Sequence, residues 1–215
     1  MESLEGGCVI VANGRFPSAE LPLRLLKEAK TIIACDGAVK TLYEKGIHPD
    51  AIVGDLDSIP AGLRERYADR IHHVEDQEIN DLTKSVRFAH TQGYREVLIL
   101  GATGLREDHT LGNISLLMDY AHLFTQVEML SDYGLFTPIL KTTTFASYPG
   151  QQISIFVLYP EGEISTEGLR WPIRRRKLTS WWQGTLNEAL GDQFTGTLSP
   201  DCRVIIYREA SHTKE

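Results

Sequence analysis

The chain has 215 residues, 42% of them hydrophobic, with a formal net charge of −7 and a pI of about 5.5. That length suits one large core or two small ones, and the acidic balance speaks against a nucleic-acid binder, whose footprint is a basic face. Cys8, Cys35 and Cys202 lie far apart in apolar contexts without C-x-x-C spacing, which excludes a disulfide framework and a zinc site. No apolar run reaches the ~18–20 residues of a membrane span, and "MESLEGG" lacks the regions of a secretory signal. A cytoplasmic protein without nucleic-acid or membrane partners is the expectation.

Short apolar runs alternate with amphipathic segments over the first part. "CVIVAN" (8–13) reads as a buried strand and "AELPLRLLKEA" (19–29) as a helix. "TIIACD" (31–36) is a second strand, followed by a helix over "AVKTLYEKG" (38–46) that stops at Gly46. "DAIVGD" (50–55) is a third strand, and the proline of "PAGLRERYAD" marks the next helix start. "RIHHVE" reads as a weaker strand and "NDLTKSVRFAHTQG" (80–93) as a helix with a glycine stop. "EVLILGA" (96–102) is a strong strand, and "DHTLGNISLLMDYAHLF" (108–124) the longest helix. This rhythm predicts a Rossmann-like, largely parallel sheet with helices on both faces. After about residue 125 the pattern changes. "QVEMLSD", "GLFTPIL", "TTTFASY", "QQISIFVLY", "RKLTSWW" and "CRVIIYRE" are strand-like, with no convincing helix among them. The fold class is therefore α/β followed by an all-β sandwich, divided as 1–135 and 136–215.

In an open parallel sheet, ligands bind beyond the carboxyl ends of the strands. Those ends carry Asp36-Gly37, then Gly54-Asp55-Leu56-Asp57-Ser58, then Glu75-Asp76-Gln77 with Asn80-Asp81 at the next helix start. The fifth strand runs into Gly101-Ala102-Thr103-Gly104, with Arg106, Asp108 and His109 behind it. Parallel connections put five aspartates and an arginine on one rim. Residues two apart in extended chain face the same side, so Asp55 and Asp57 are expected to share one point. Two such charges ~5 Å apart repel by ~3 kcal/mol at an effective dielectric of 20. A divalent cation reverses that sign, and Mg²⁺ takes carboxylate, water and phosphate oxygens.

Each residue also has a plainer role. Asp81, Asp108 and one of Asp57 or Ser58 stand where helix N-caps belong, and Asp36-Gly37 is an ordinary turn dipeptide. The GxGxxG fingerprint and the G-x-x-x-x-G-K-[ST] loop are both absent. The basic run Arg174–Lys177 reads as solvated edge or turn charge. Of Trp181 and Trp182, only one can face the core if they lie on a strand.

Four stretches in order, "CDGAVKTLYEKGIHPDAIVGDLDSI", "DQEINDLTKSVRFA", "GATGLREDHTLGNISLL" and "GLRWPI…GTLNEALGDQF", resemble the thiamine pyrophosphokinase family. The resemblance runs from about residue 34 to the C-terminus. It implies a nucleotide-binding α/β domain followed by a β-sandwich, in homodimers whose active sites lie between the α/β domain of one subunit and the β domain of the other. It implies pyrophosphate transfer from ATP to the hydroxyethyl group of thiamine, with Mg²⁺ and release of AMP.

By motif position, Asp55, Asp57 and Asp81 hold Mg²⁺ and ATP phosphates, and Gln77 and His109 contact the nucleotide. Arg106 neutralises phosphate charge, while Asp36 and Asp108 complete the acidic rim. Trp171 and Asn187 fall on the thiamine side. Two motifs depart from the family pattern: D-G-G-A-N-R is Asp36-Gly37-Ala38-Val39-Lys40 here, and S-T-S-N-E is Gly184-Thr185-Leu186-Asn187-Glu188. The second departure keeps two alternatives in view, a same-fold pyrophosphokinase or kinase for another small alcohol and a non-catalytic nucleotide or thiamine sensor.

Overall fold

The computed structural model describes residues 7–210, in two compact units that divide between Asp132 and Tyr133. The first unit runs β1 (Cys8–Val11), α1 (Glu20–Glu28), β2 (Ile32–Cys35), α2 (Ala38–Glu44), β3 (Ala51–Gly54) and α3 (Ala61–Arg66). It continues with β4 (Ile71–His73), α4 (Asp81–Thr91), β5 (Glu96–Leu100), α5 (Glu107–Tyr120) and β6 (Gln126–Leu130). Its strands lie in the order β6-β5-β1-β2-β3-β4, and every pairing is parallel.

Every residue of β1, β2 and β3 is buried, as a parallel sheet covered on both faces requires. That is why these strands read as unbroken apolar runs rather than alternating ones. The edge strand β4 is only partly buried, which explains its weaker signal. "QVEML" is the sixth parallel strand of this sheet, in register with β5 from Glu96↔Gln126 to Leu100↔Leu130. Apolar content alone could not assign it to either half. The parallel partner does.

The second unit contains β7 (Gly134–Ile139), β8 (Thr143–Ala146), β9 (Gln152–Tyr159), β10 (Ile164–Glu167), β11 (Asn187–Glu188), β12 (Gln193–Leu198) and β13 (Arg203–Glu209). Two antiparallel sheets, β11-β9-β13-β7 and β10-β12-β8, share one apolar core. Ile153, Ile155 and Ile206 from the first meet Phe145, Ile164 and Phe194 from the second. β9 alternates buried and less buried positions, the period of a strand with one face inward. β10 and β12 escape a sequence reading because "ISTE" and "QFTGTL" bury small and polar residues, among them Thr166 and Gly196. The expected strand over "RKLTSWW" is not formed. Trp181–Gly184 is a 3₁₀ turn closed by a capping box between Ser180 and Gln183, so strand alternation does not govern the two tryptophans. Both are exposed, and Trp181 meets Phe156 edge-on at 5.7 Å between centroids.

Candidate active site

The site builds up from the ends of β2 and β3. Asp36 follows β2 and is 2% exposed, held by its own N–H donating to the Val53 carbonyl of β3 at 3.1 Å. Its carboxylate accepts from Gly37 N–H at 2.5 Å and Leu56 N–H at 3.0 Å. Burial, with Asp81 and Asp55 nearby, pushes Asp36 up to about 6 against the pull of those two N–H donors. Gly54 allows this approach, because a Cβ there would stand 2.8 Å from Asp36 Cβ and Cγ.

The Asp55/Asp57 pair converges, but not by strand alternation. β3 ends at Gly54, and Leu56 adopts φ 72°, the left-handed region that costs an L residue roughly 1–2 kcal/mol. Two bonds hold that turn: Leu56 N–H donates to Asp36 Oδ2, and Arg64 of α3 donates to the Leu56 carbonyl. The turn brings one carboxylate oxygen from each of Asp36, Asp55 and Asp57 within 4.8 Å of one another. Asp57 is exposed, with Ser58 Oγ donating to its Oδ1 at 2.8 Å. Ser58 thus serves Asp57 and not a helix, since the position before α3 is Pro60.

Asp81 is the first residue of α4, not its cap. Asn80 caps, accepting from Thr83 N–H at 2.8 Å. Asp81 is tied to Asp55 through Lys84, whose Nζ lies 3.0 Å from Asp81 Oδ1 and 3.3 Å from Asp55 Oδ2. Gln77 Nε2 donates to the same Asp55 oxygen at 3.3 Å. Burial pushes Asp55 up, but the Asp57 N–H, Lys84 and Gln77 outweigh it and leave Asp55 below its usual range. Burial pulls Lys84 down and its two carboxylates overcome that, leaving its pKa raised.

Arg106 and Asp108 sit apart from this cluster in their bonding. They form an exposed ion pair at 2.5 Å, and the guanidinium, with the His109 N–H, draws Asp108 down to about 2. Asp108 does not cap α5, whose preceding position is Arg106. His109 is exposed. Asn113 of α5 joins the regions, donating to the Ala102 carbonyl at 2.8 Å and accepting from Asn80 at 3.4 Å.

In the second unit, Trp171 is 56% exposed with the Arg170 guanidinium 5.3 Å from its ring centroid. Asn187 is buried and grips the Trp171 backbone from both sides, accepting from its N–H at 3.1 Å and donating to its carbonyl at 2.8 Å. Asn187 thus fixes where Trp171 stands. Leu186 beside it has φ 59° and is 75% exposed.

Two features escaped the sequence reading. Lys84 is the cluster's cation, and a lysine inside an apolar helix face was the available signal, since buried lysines need partners. Asn13-Gly14-Arg15 at the end of β1 was the other. Gly14 N–H donates to the Gly101 carbonyl at 2.6 Å and Arg15 N–H to the Thr103 carbonyl at 2.8 Å, zipping the β1 and β5 exits together where the strand order turns. The three cysteines are buried free thiols, and burial pushes Cys8 and Cys35 up to about 12 and raises Cys202.

The donor set is hard oxygen from three carboxylates, which could hold a hard divalent cation. Known proteins carry the same halves in the same order. The family model for the catalytic domain of thiamin pyrophosphokinase matches residues 23–129, and that for its substrate-binding domain matches 134–207. The chain belongs to the thiamin pyrophosphokinase family. Thiamine pyrophosphokinase 1 of Oryza sativa subsp. japonica is 29% identical, over 76% of this chain and 72% of the relative. Thiamin pyrophosphokinase 1 of Caenorhabditis elegans is 31% identical, over 62% of this chain and 60% of the relative. The thiamin pyrophosphokinase structure from Candida albicans superposes with TM-score 0.80 at 18% identity, over 96% of this chain and 90% of that one. That from Bacillus subtilis gives 0.79 at 20%, over 96% and 100%. These superpositions bear on the fold, and the fold is the family's.

Proposed function

We propose that this protein transfers the pyrophosphoryl group of ATP to the hydroxyethyl oxygen of thiamine, giving thiamine diphosphate and AMP. The observation that carries the reading is the Asp36–Asp55–Asp57 cluster, lying within the segment matched by the family's catalytic model.

The reaction is an in-line displacement. The thiamine hydroxyl oxygen bonds to the β-phosphorus and loses its proton to solvent, the bond from that phosphorus to the α,β-bridging oxygen breaks, and AMP leaves with the electron pair. Such chemistry rests on positioning and charge neutralisation. Asp36, Asp55 and Asp57 would hold Mg²⁺, which when bound supplies positive charge to the polyphosphate. The described residues set that site up: one ammonium, Lys84, serves Asp55 and Asp81, and Asp36 stays reluctant to ionise. Asp81 belongs to the site through Lys84, and Gln77 orients Asp55 while its carbonyl is free for a nucleotide or water. Arg106, its guanidinium exposed, supplies charge to phosphate, with Asp108 setting its orientation and His109 lining the nucleotide side. Trp171 offers a flat wall to thiamine, and Asn187 acts by fixing it.

The proposal includes a homodimer with shared active sites, supported by the exposed Trp171, Trp182, Leu186 and Leu190 of the second unit. It also includes a reducing, cytoplasmic setting, supported by three buried free thiols.

The test is incubation with ATP, Mg²⁺ and thiamine, followed by identification of both products. AMP with thiamine diphosphate is expected. ADP would instead indicate a phosphoryl kinase, turnover only with another alcohol a same-fold enzyme of different substrate, and binding without turnover a sensor. Light scattering on a sizing column checks the dimer.

A further inference from the structure

Lys84 is 3% exposed, and its helix neighbours Leu82, Thr83, Ser85 and Val86 are buried as well. Its stem is packed inside, so its ammonium has little freedom to leave. It meets Asp55 Oδ2 at 3.3 Å and Asp81 Oδ1 at 3.0 Å from that buried side. The Asp36 carboxylate is likewise buried, whereas Asp57 is exposed. The cluster therefore has a fixed cation on its inner side and an open carboxylate on its outer side.

Resting on the Mg²⁺ reading above, we propose that Lys84 is the resident counter-cation of the site. It keeps Asp55 and Asp81 in place without metal and lowers the affinity of the carboxylates for a free divalent cation. Four carboxylates, Asp36, Asp55, Asp57 and Asp81, carry more negative charge than one ammonium cancels. With Lys84 in place, the smaller negative excess holds a bare cation more weakly and repels an anionic metal–polyphosphate complex less. Without it, one more unit of negative charge faces outward and the Asp55 Oδ2 and Asp81 Oδ1 edges are released. A bare divalent cation then binds tightly before nucleotide does. Lys84 is a positioning residue in this scheme and touches neither substrate.

The experiment measures Mn²⁺ binding to the full chain, without nucleotide, by the electron paramagnetic resonance of free Mn²⁺. Wild type, K84M, K84R and D55N are compared, with thermal unfolding in EDTA and in Mn²⁺. Removing one unit charge this close to the ligands is expected to tighten Mn²⁺ binding about tenfold or more in K84M. K84R keeps the charge and stays near wild type. K84M also melts below wild type in EDTA, and Mn²⁺ closes the gap. A folded K84M that binds Mn²⁺ as weakly as wild type, or more weakly, overturns the inference. If K84M folds only with metal, the Mn²⁺-induced rise in melting temperature decides: larger than in wild type supports it, equal or smaller overturns it. If wild type and K84M alike bind no Mn²⁺, and D55N changes nothing, the metal reading falls and takes this inference with it. If wild type binds Mn²⁺, D55N abolishes it and K84M leaves it unchanged, the metal reading stands and only the role of Lys84 fails.

Discussion

Replacing Gly54 by alanine adds one methyl group at the point where two strand ends meet. Gly54 has an ordinary extended backbone, so alanine meets no conformational penalty there. The whole effect therefore comes from contact. The new Cβ would stand 2.8 Å from Asp36 Cβ and Cγ and 3.0 Å from Oδ2, against the ~3.5–4.0 Å at which carbon atoms pack. Asp36 must retreat by ~0.7 Å or more to restore that separation. It is buried, and its Oδ2 already accepts from Leu56 N–H at 3.0 Å, so a shift of this size stretches the bond past its useful range.

Overpacking costs ~1–3 kcal/mol, and weakening a hydrogen bond to a charged group adds up to ~1.5–3 kcal/mol. Leu56 then loses one of the two bonds that hold its left-handed turn, and Asp55 and Asp57 lose their common point. G54A is expected to be less stable by ~2–4 kcal/mol in urea denaturation and slower in AMP release by ~10²-fold. Circular dichroism at low temperature verifies that the assayed protein is folded. The control is Gly62→Ala in α3, whose added Cβ meets nothing within 4 Å and which should lose no stability. Wild-type stability and turnover in G54A would refute the reasoning from Asp36 to the metal cluster.

Asp57→Asn removes a charge from an exposed ligand position and should cut turnover by ~10²-fold or more without shifting the melting temperature; near-normal turnover at saturating Mg²⁺ would sink the metal cluster. Asn80→Ala removes the cap of α4 and should cost ~1 kcal/mol in urea denaturation. Asp36 makes metal-free stability pH-dependent in a stated direction. Its pKa is raised to about 6 in the folded chain, chiefly by burial, so its stabilising contribution is full below about pH 4 and lost as pH rises through about 6. Wild type should therefore lose ~1.4 kcal/mol more than D36N between pH 5 and 7.5 in EDTA, read from urea midpoints at the two pH values. Equal losses in both proteins would mean that Asp36 is not the titrating group.

What the sequence determined by itself is the class of the fold and the edge on which the site lies. Unbroken apolar runs such as "CVIV" and "AIVG" are legible because a parallel strand is covered on both faces, and burial on both faces leaves no polar position to hide it. Parallel topology then sends every strand end to one rim, so Asp36, Asp55 and Asp81 could be listed together from spacing alone. What tertiary structure decided is how those residues meet. The left-handed turn at Leu56 depends on Asp36, twenty residues earlier, and on Arg64 of the next helix, so no local periodicity announces it. Lys84 belongs to the site because α4 packs with its buried face toward β2 and β3, and the pairing distance to Asp55 spans 29 residues. Asn187 grips Trp171 across sixteen residues of chain. Each of these depends on contacts distant in sequence, and such contacts exist only once the chain has packed.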